Sequence, residues 1–119
     1  MNKTLIQPQT YIGLNKNHHA FYMYKLLKSD DIINHVANSM GLNPEYIKSS
    51  SRKRKIVIAR IICIYVIRKK NNITLKQIGE IFSRDHSTII YNLETFDDMV
   101  KTKNKEFIKY LSLTFPNYL

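Results

Sequence analysis

At 119 residues the chain has room for one domain with a modest core, and its formal charge of +10 favours a polyanionic partner, nucleic acid before an acidic membrane. The single Cys63 excludes an internal disulfide and points to a reducing compartment. The opening residues lack the apolar stretch of a secretory signal, and the longest apolar run, residues 56–67, is interrupted by Arg60 and too short to span a bilayer.

The charge is concentrated in one place. Between Glu45 and Glu80 there is no acidic residue, while Lys48, Arg52, Lys53, Arg54, Lys55, Arg60, Arg68, Lys69, Lys70 and Lys76 all fall there. These ten equal the whole net charge, because elsewhere nine basic and nine acidic residues cancel. Catalysis finds little support. Gly13, Gly41 and Gly79 stand in no P-loop order, and His18, His19, His35, His86 and Cys63 have no metal-ligand spacing, so no enzyme activity, metal or cofactor is expected.

Taken in order, residues 1–17 are polar, contain Pro8 and Gly13, and hold no sustained period, which reads as a flexible N-terminal arm. A lead-in helix from His18 turns Phe21, Tyr24, Leu27 and Tyr22 inward. Such an aromatic stripe is more often a core face than a stacking platform for bases. Ser29 or Asp30 caps a further helix running to Met40, with Ile32, Ile33, Val36, Ala37 and Met40 on one face and Gly41 just past its end. Asn43 before Pro44 starts one short helical turn, and residues 48–55 then form a basic loop with small polar spacers.

Residues 55–70 read as the central helix. Ile56, Val57, Ile58, Ile61, Ile62, Ile64, Tyr65, Val66 and Ile67 occupy almost every side of it, so most of its circumference is buried. The β-branched density also suits a buried strand, and only the length, roughly sixteen residues, favours the helix. Near the end of the chain, Asn104 caps a last helix through Leu113 carrying Phe107, Ile108, Tyr110 and Leu111, which Phe115-Pro116 stops.

Between these lies a helix-turn-helix in residues 73–92. Thr74 followed three positions later by Gln77 is a capping-box signature, and Leu75, Ile78, Ile81 and Phe82 recur at helical spacing. Ser83-Arg84-Asp85 breaks the pattern. Asp85 then caps a second helix whose apolar face is Ile89, Ile90, Leu93, Phe96 and Val100, leaving His86, Ser87 and Thr88 in an exposed first turn. Side chains of these types can read base edges in a major groove, although they also cluster at helix starts for capping reasons alone. Asp85 has both readings, N-cap and acceptor from a cytosine amine. The loop around Arg52, Lys53, Arg54 and Lys55 reads as solvated surface or as a minor-groove contact.

The run Arg84-Asp85-His86-Ser87-Thr88-Ile89-Ile90, preceded by Leu75-Lys76-Gln77-Ile78-Gly79-Glu80-Ile81-Phe82 and by a basic loop before a long helix, resembles the C-terminal DNA-binding domain (domain IV) of the bacterial replication initiator DnaA. The resemblance covers residues 30–99. It implies an all-α domain of the Trp-repressor-like type that reads a short duplex element. By that resemblance Asp85, His86, Ser87 and Thr88 face bases, Arg84 holds a phosphate, Arg52 or Arg54 enters the minor groove, and Arg60 lies near the DNA backbone. Two departures stand out: a single Ser83 where the family commonly has two glycines, and Ser87 where it commonly has threonine. The family's ATPase part has no counterpart in these residues.

The reading is therefore an all-α protein of five to six helices, with an arm over residues 1–17 and one DNA-binding domain over residues 18–119. It is expected to bind double-stranded DNA by sequence in replication control or transcription regulation, without ATPase activity, in the cytoplasm at the nucleoid, and to be encoded by a phage or mobile element. The candidate contacts are Arg52, Lys53, Arg54, Lys55, Arg60, Lys76, Arg84, Asp85, His86, Ser87, Thr88 and Tyr91. The alternative is an adaptor that keeps the fold and assembles with another protein through its apolar ends, residues 21–27 and 107–119.

Overall fold

A computed structural model describes residues 18–118, with side chains from residue 28 onward. The expected arm at residues 1–17 and the inward stripe at Phe21, Tyr22, Tyr24 and Leu27 lie outside the described residues and side chains. Among the described residues there are six helices and no strand: α1 (His18–Met40), α2 (Pro44–Lys48), α3 (Arg54–Asn71), α4 (Leu75–Phe82), α5 (His86–Lys101) and α6 (Lys105–Thr114). None of them is long and apolar enough to cross a membrane.

α1 runs unbroken for 23 residues, so the expected boundary at Ser29 or Asp30 does not occur. The physical reason is twofold. No glycine or proline interrupts residues 18–40. Ser29 is also fully buried, and its hydroxyl oxygen accepts from Asn71 Nδ2 at 2.7 Å, so the serine joins α1 to the end of α3 where a cap was expected. The other end closes as the sequence implies. Gly41 takes a left-handed φ of 70°, and the Leu42 N–H reaches back to the Ala37 carbonyl at 2.8 Å.

α3 is the axis of the molecule, a helix and not a strand. Ile58, Ala59, Ile61, Ile62, Cys63, Ile64 and Ile67 are all buried, and every other helix packs against it. Burial pushes the Cys63 thiol well above its ordinary pKa, with the nearby Arg60 charge opposing only in part, so it behaves as a small apolar side chain. The ring of Tyr65 stacks on Phe96 of α5 with centroids 3.7 Å apart, and Phe96 meets Phe107 of α6 edge-on at 5.3 Å. Three helices are thus joined by one aromatic cluster, which fixes the helix-turn-helix against the core.

Entry into α4 is set locally. Asn72 ends α3 in the left-handed region, and Arg68 Nη1 donates to the Ile73 carbonyl at 2.8 Å. The capping box follows as read from the sequence: the Gln77 N–H donates to Thr74 Oγ1 at 3.1 Å, and the Thr74 N–H to Gln77 Oε1 at 2.9 Å.

Candidate nucleic-acid interface

The turn between α4 and α5 is a single residue deep. Ser83 adopts φ 54° and ψ 46°, and the Arg84 N–H then closes on the Gly79 carbonyl at 2.8 Å. That closure brings backbone against backbone. A Cβ placed on Gly79 would collide with the Arg84 carbonyl oxygen, so the position requires glycine for proximity. α5 begins with Asp85, whose Oδ1 accepts the Thr88 N–H at 2.9 Å. Hydrogen bonds from the Thr88 N–H and hydroxyl hold the Asp85 carboxyl below the usual carboxylate range, so it is ionised at neutral pH.

Capping in this way leaves the first turn of α5 presented to solvent. His86 and Ser87 are exposed, Thr88 is half-buried, and Tyr91, one turn further on, is 67% exposed. The opposite face carries Ile89 and Phe96 into the core. Ile90, expected on that apolar face, is 37% exposed, and Asn92 is buried in its place with its Nδ2 donating to the Thr88 carbonyl at 2.9 Å. A buried amide that bonds its own helix costs little, so the apolar pattern alone misplaces this part of the face.

The basic loop is built differently. Its serines act as substitutes for backbone partners. The Ser49 hydroxyl donates to the Tyr46 carbonyl at 2.6 Å, the Ser51 N–H donates to Ser49 Oγ at 3.2 Å, and the Lys53 N–H donates to Ser51 Oγ at 3.2 Å. Two guanidinium groups then hold the loop from below. Arg60 Nε donates to the Ile47 carbonyl at 2.8 Å, and its Nη2 to the carbonyls of Ser49 at 2.8 Å and Ser51 at 3.0 Å. From the other side, Arg84 Nη2 donates to the same Ser49 carbonyl at 2.8 Å while its Nη1 donates to the Phe82 carbonyl at 2.6 Å.

Arg60, expected near a DNA backbone, is only 5% exposed, and its Nε and Nη2 are committed to loop carbonyls. Burial, reinforced by the neighbouring Arg84 charge, lowers its pKa to about 10, so it remains a cation at neutral pH. Burial also lowers the Arg84 pKa. Both are argininium ions whose planar forks suit several carbonyls at once, a task lysine performs poorly.

The remaining candidates divide. Arg52 and Lys53 are exposed on the loop, and Lys76 is exposed on α4. Arg54 belongs to α3, not to the loop, and its Nε pairs with Glu106 Oε1 at 2.7 Å. Lys55 is half-buried with its Nζ 5.9 Å from the centre of the Tyr110 ring. The loop support by Arg60 and Arg84 was missed in the sequence, although Arg60 lies inside a run whose apolar residues surround the helix, which is a signal for burial.

The helix-turn-helix and the loop also fall within a recognised family pattern. A family model described as the bacterial dnaA protein helix-turn-helix matches residues 29–95, from the middle of α1 to the middle of α5. Curated proteins named chromosomal replication initiator protein DnaA are similar. One from Thermus thermophilus is 33% identical over 73 residues, 60% of this chain and 17% of that protein. Another from Picosynechococcus is 33% identical over 84 residues, 70% of this chain and 18% of the relative. One from Clavibacter sepedonicus is 28% identical over 125 residues, 93% of this chain and 26% of the relative. The chain thus spans about a quarter or less of the length of the relatives it matches.

Proposed function

Because the chain belongs to the bacterial DnaA helix-turn-helix family, we propose that it binds double-stranded DNA and recognises a short duplex element by sequence, in replication control or transcription, with no ATPase chemistry in these residues. In this reading the start of α5 enters the major groove. Asp85, His86, Ser87 and Thr88 meet base edges there, and Tyr91 extends the contact by one turn. Arg52 is the loop residue assigned to the minor groove, because Arg54 is held by Glu106 and Arg60 is buried. Lys53 and Lys76 contact phosphates. The cytoplasmic nucleoid is the compartment this function implies.

The observation that carries the reading is the shared Ser49 carbonyl. Arg84, at the entrance to α5, and Arg60, beneath the loop, both donate to it at 2.8 Å. The loop that presents Arg52 and the helix that presents His86 are therefore tied together through one carbonyl, which supports simultaneous use of two grooves. The positive charge left on Arg84 also favours a phosphate beside it.

A gel shift on random duplexes across a salt titration tests this directly. Retarded DNA is expected at physiological salt, with affinity falling by about 0.9 log units per log unit of salt for each phosphate contacted. Arg52→Ala should weaken binding. Absence of any retarded duplex at physiological salt, the behaviour of a protein-binding adaptor, would overturn the proposal.

A further inference from the structure

The family match ends at residue 95, and the chain beyond it has a charge pattern of its own. Glu94, Asp97 and Asp98 make the second half of α5 acidic. From residue 99 onward Lys101, Lys103, Lys105 and Lys109 face a single acid, Glu106. The charge balance outside residues 45–80 is therefore a cancellation between separate blocks, and the last block is basic.

In the structure that one acid is occupied. Glu106 Oε1 pairs with Arg54 Nε at 2.7 Å, which sets the first turn of α6 against the first turn of α3, immediately after the basic loop. Lys105 and Lys109 are exposed and four residues apart, so they share one side of α6. Lys109 Nζ lies 5.4 Å from the Tyr110 ring centroid, and Lys55 Nζ from α3 lies 5.9 Å from the same ring. Among the described residues the ion pairs are Lys48–Asp30 and Arg54–Glu106, so Lys55, Lys105 and Lys109 have no carboxylate partner there. Lys55, which follows the exposed Arg52 and Lys53 in the chain, and Lys109 meet at one ring without a carboxylate partner of their own, and their mutual repulsion is relieved by an external polyanion.

We propose that Lys55 and Lys109, gathered about Tyr110, form with Lys105 on the same side of α6 a second DNA-contacting face that holds backbone phosphates flanking the element read by α5. The inference rests on the DNA-binding reading above and adds a surface beyond the residues that the family model matches. Phosphate is the ligand chemistry because ammonium groups on flexible stems act as point charges and carry no base readout. Tyr110 is half-buried, so its ring supports the two lysine stems and is not a platform on which a base stacks.

The test compares wild type with Lys105→Ala/Lys109→Ala on two duplexes, one trimmed to the preferred element and one carrying flanks on both sides. Both positions are exposed helix surface, so folding is checked simply by matching denaturation midpoints. On the flanked duplex the variant should lose about tenfold in affinity near 0.1 M salt, and its log–log salt slope should become shallower by about two. On the trimmed duplex it should match wild type, and the preferred sequence should be the same on both. Lys105→Arg/Lys109→Arg should restore the slope. A variant with the wild-type slope and affinity on the flanked duplex overturns the flanking face alone, because wild type still selects its sequence. Loss of all sequence selection by wild type overturns the reading beneath it.

Discussion

The two surfaces assigned to DNA are made by opposite means. The start of α5 owes its shape to secondary structure: Asp85 caps the helix, the backbone is satisfied, and His86, Ser87 and Tyr91 project with no side-chain hydrogen bond among the described residues. The loop at residues 49–53 has no regular backbone pairing and owes its shape to side chains beneath it, above all Arg60 and Arg84. Residues that read DNA from a helix can be exchanged at little structural cost. Residues proposed to read it from a loop depend on side chains beneath the loop for their placement.

The largest expected effect follows from that dependence. Arg60→Ala leaves the Ile47 and Ser51 carbonyls without their donor and takes one of two from Ser49, and should cost roughly 3 kcal/mol of stability, seen as a lower midpoint in chemical denaturation. Arg60→Lys should recover only part of it, since one ammonium cannot reproduce the fork. A stability loss below about 0.5 kcal/mol would break the comparison. Gly79→Ala comes next, at roughly 2 kcal/mol, because a methyl there forces the Arg84 backbone away and reorients α5. His86→Ala should do the reverse. Its stability should stay within about 0.5 kcal/mol of wild type, while discrimination between preferred and altered duplexes relaxes by ~1–3 kcal/mol.

Smaller effects sharpen the same contrast. Ser83 occupies the left-handed region without being glycine, so Ser83→Gly should stabilise the turn by roughly 0.5–1 kcal/mol, measurable as a raised midpoint. The pH response reports on the Asp85 cap. Its carboxyl is held below its ordinary value, so its contribution is complete above about pH 4, the range of an unfolded carboxylate, and is lost as pH falls through the lower folded value. Asp85→Asn keeps an acceptor oxygen at every pH. It should show a shallower loss of stability than wild type on acidification, and parallel curves would remove the cap from the account.

Much of this fold was legible in the residues. Thr74 with Gln77, Asn43 with Pro44, Gly41 and Asp85 all specify local backbone hydrogen bonds, and each makes the one its type and position imply. What was not legible depends on distant partners. Ser29 reads as a cap until Asn71 is brought to it, and Arg60 reads as a surface cation until the Ser49 and Ser51 carbonyls are folded over it. Ile90 is more exposed than its apolar face implied, and Asn92 is buried because it satisfies its amide on its own helix, which no hydropathy pattern encodes. Arg54 could be placed near the loop, but its pairing with Glu106 joins residues 52 positions apart.

The central claim, that the first turn of α5 reads DNA sequence, is tested most directly by selecting bound duplexes from a random pool with wild type and with His86→Ala/Ser87→Ala/Thr88→Ala. Wild type should enrich one short motif, and the triple variant should lose or change it while keeping salt-sensitive binding. The same motif enriched equally by both proteins would contradict the claim.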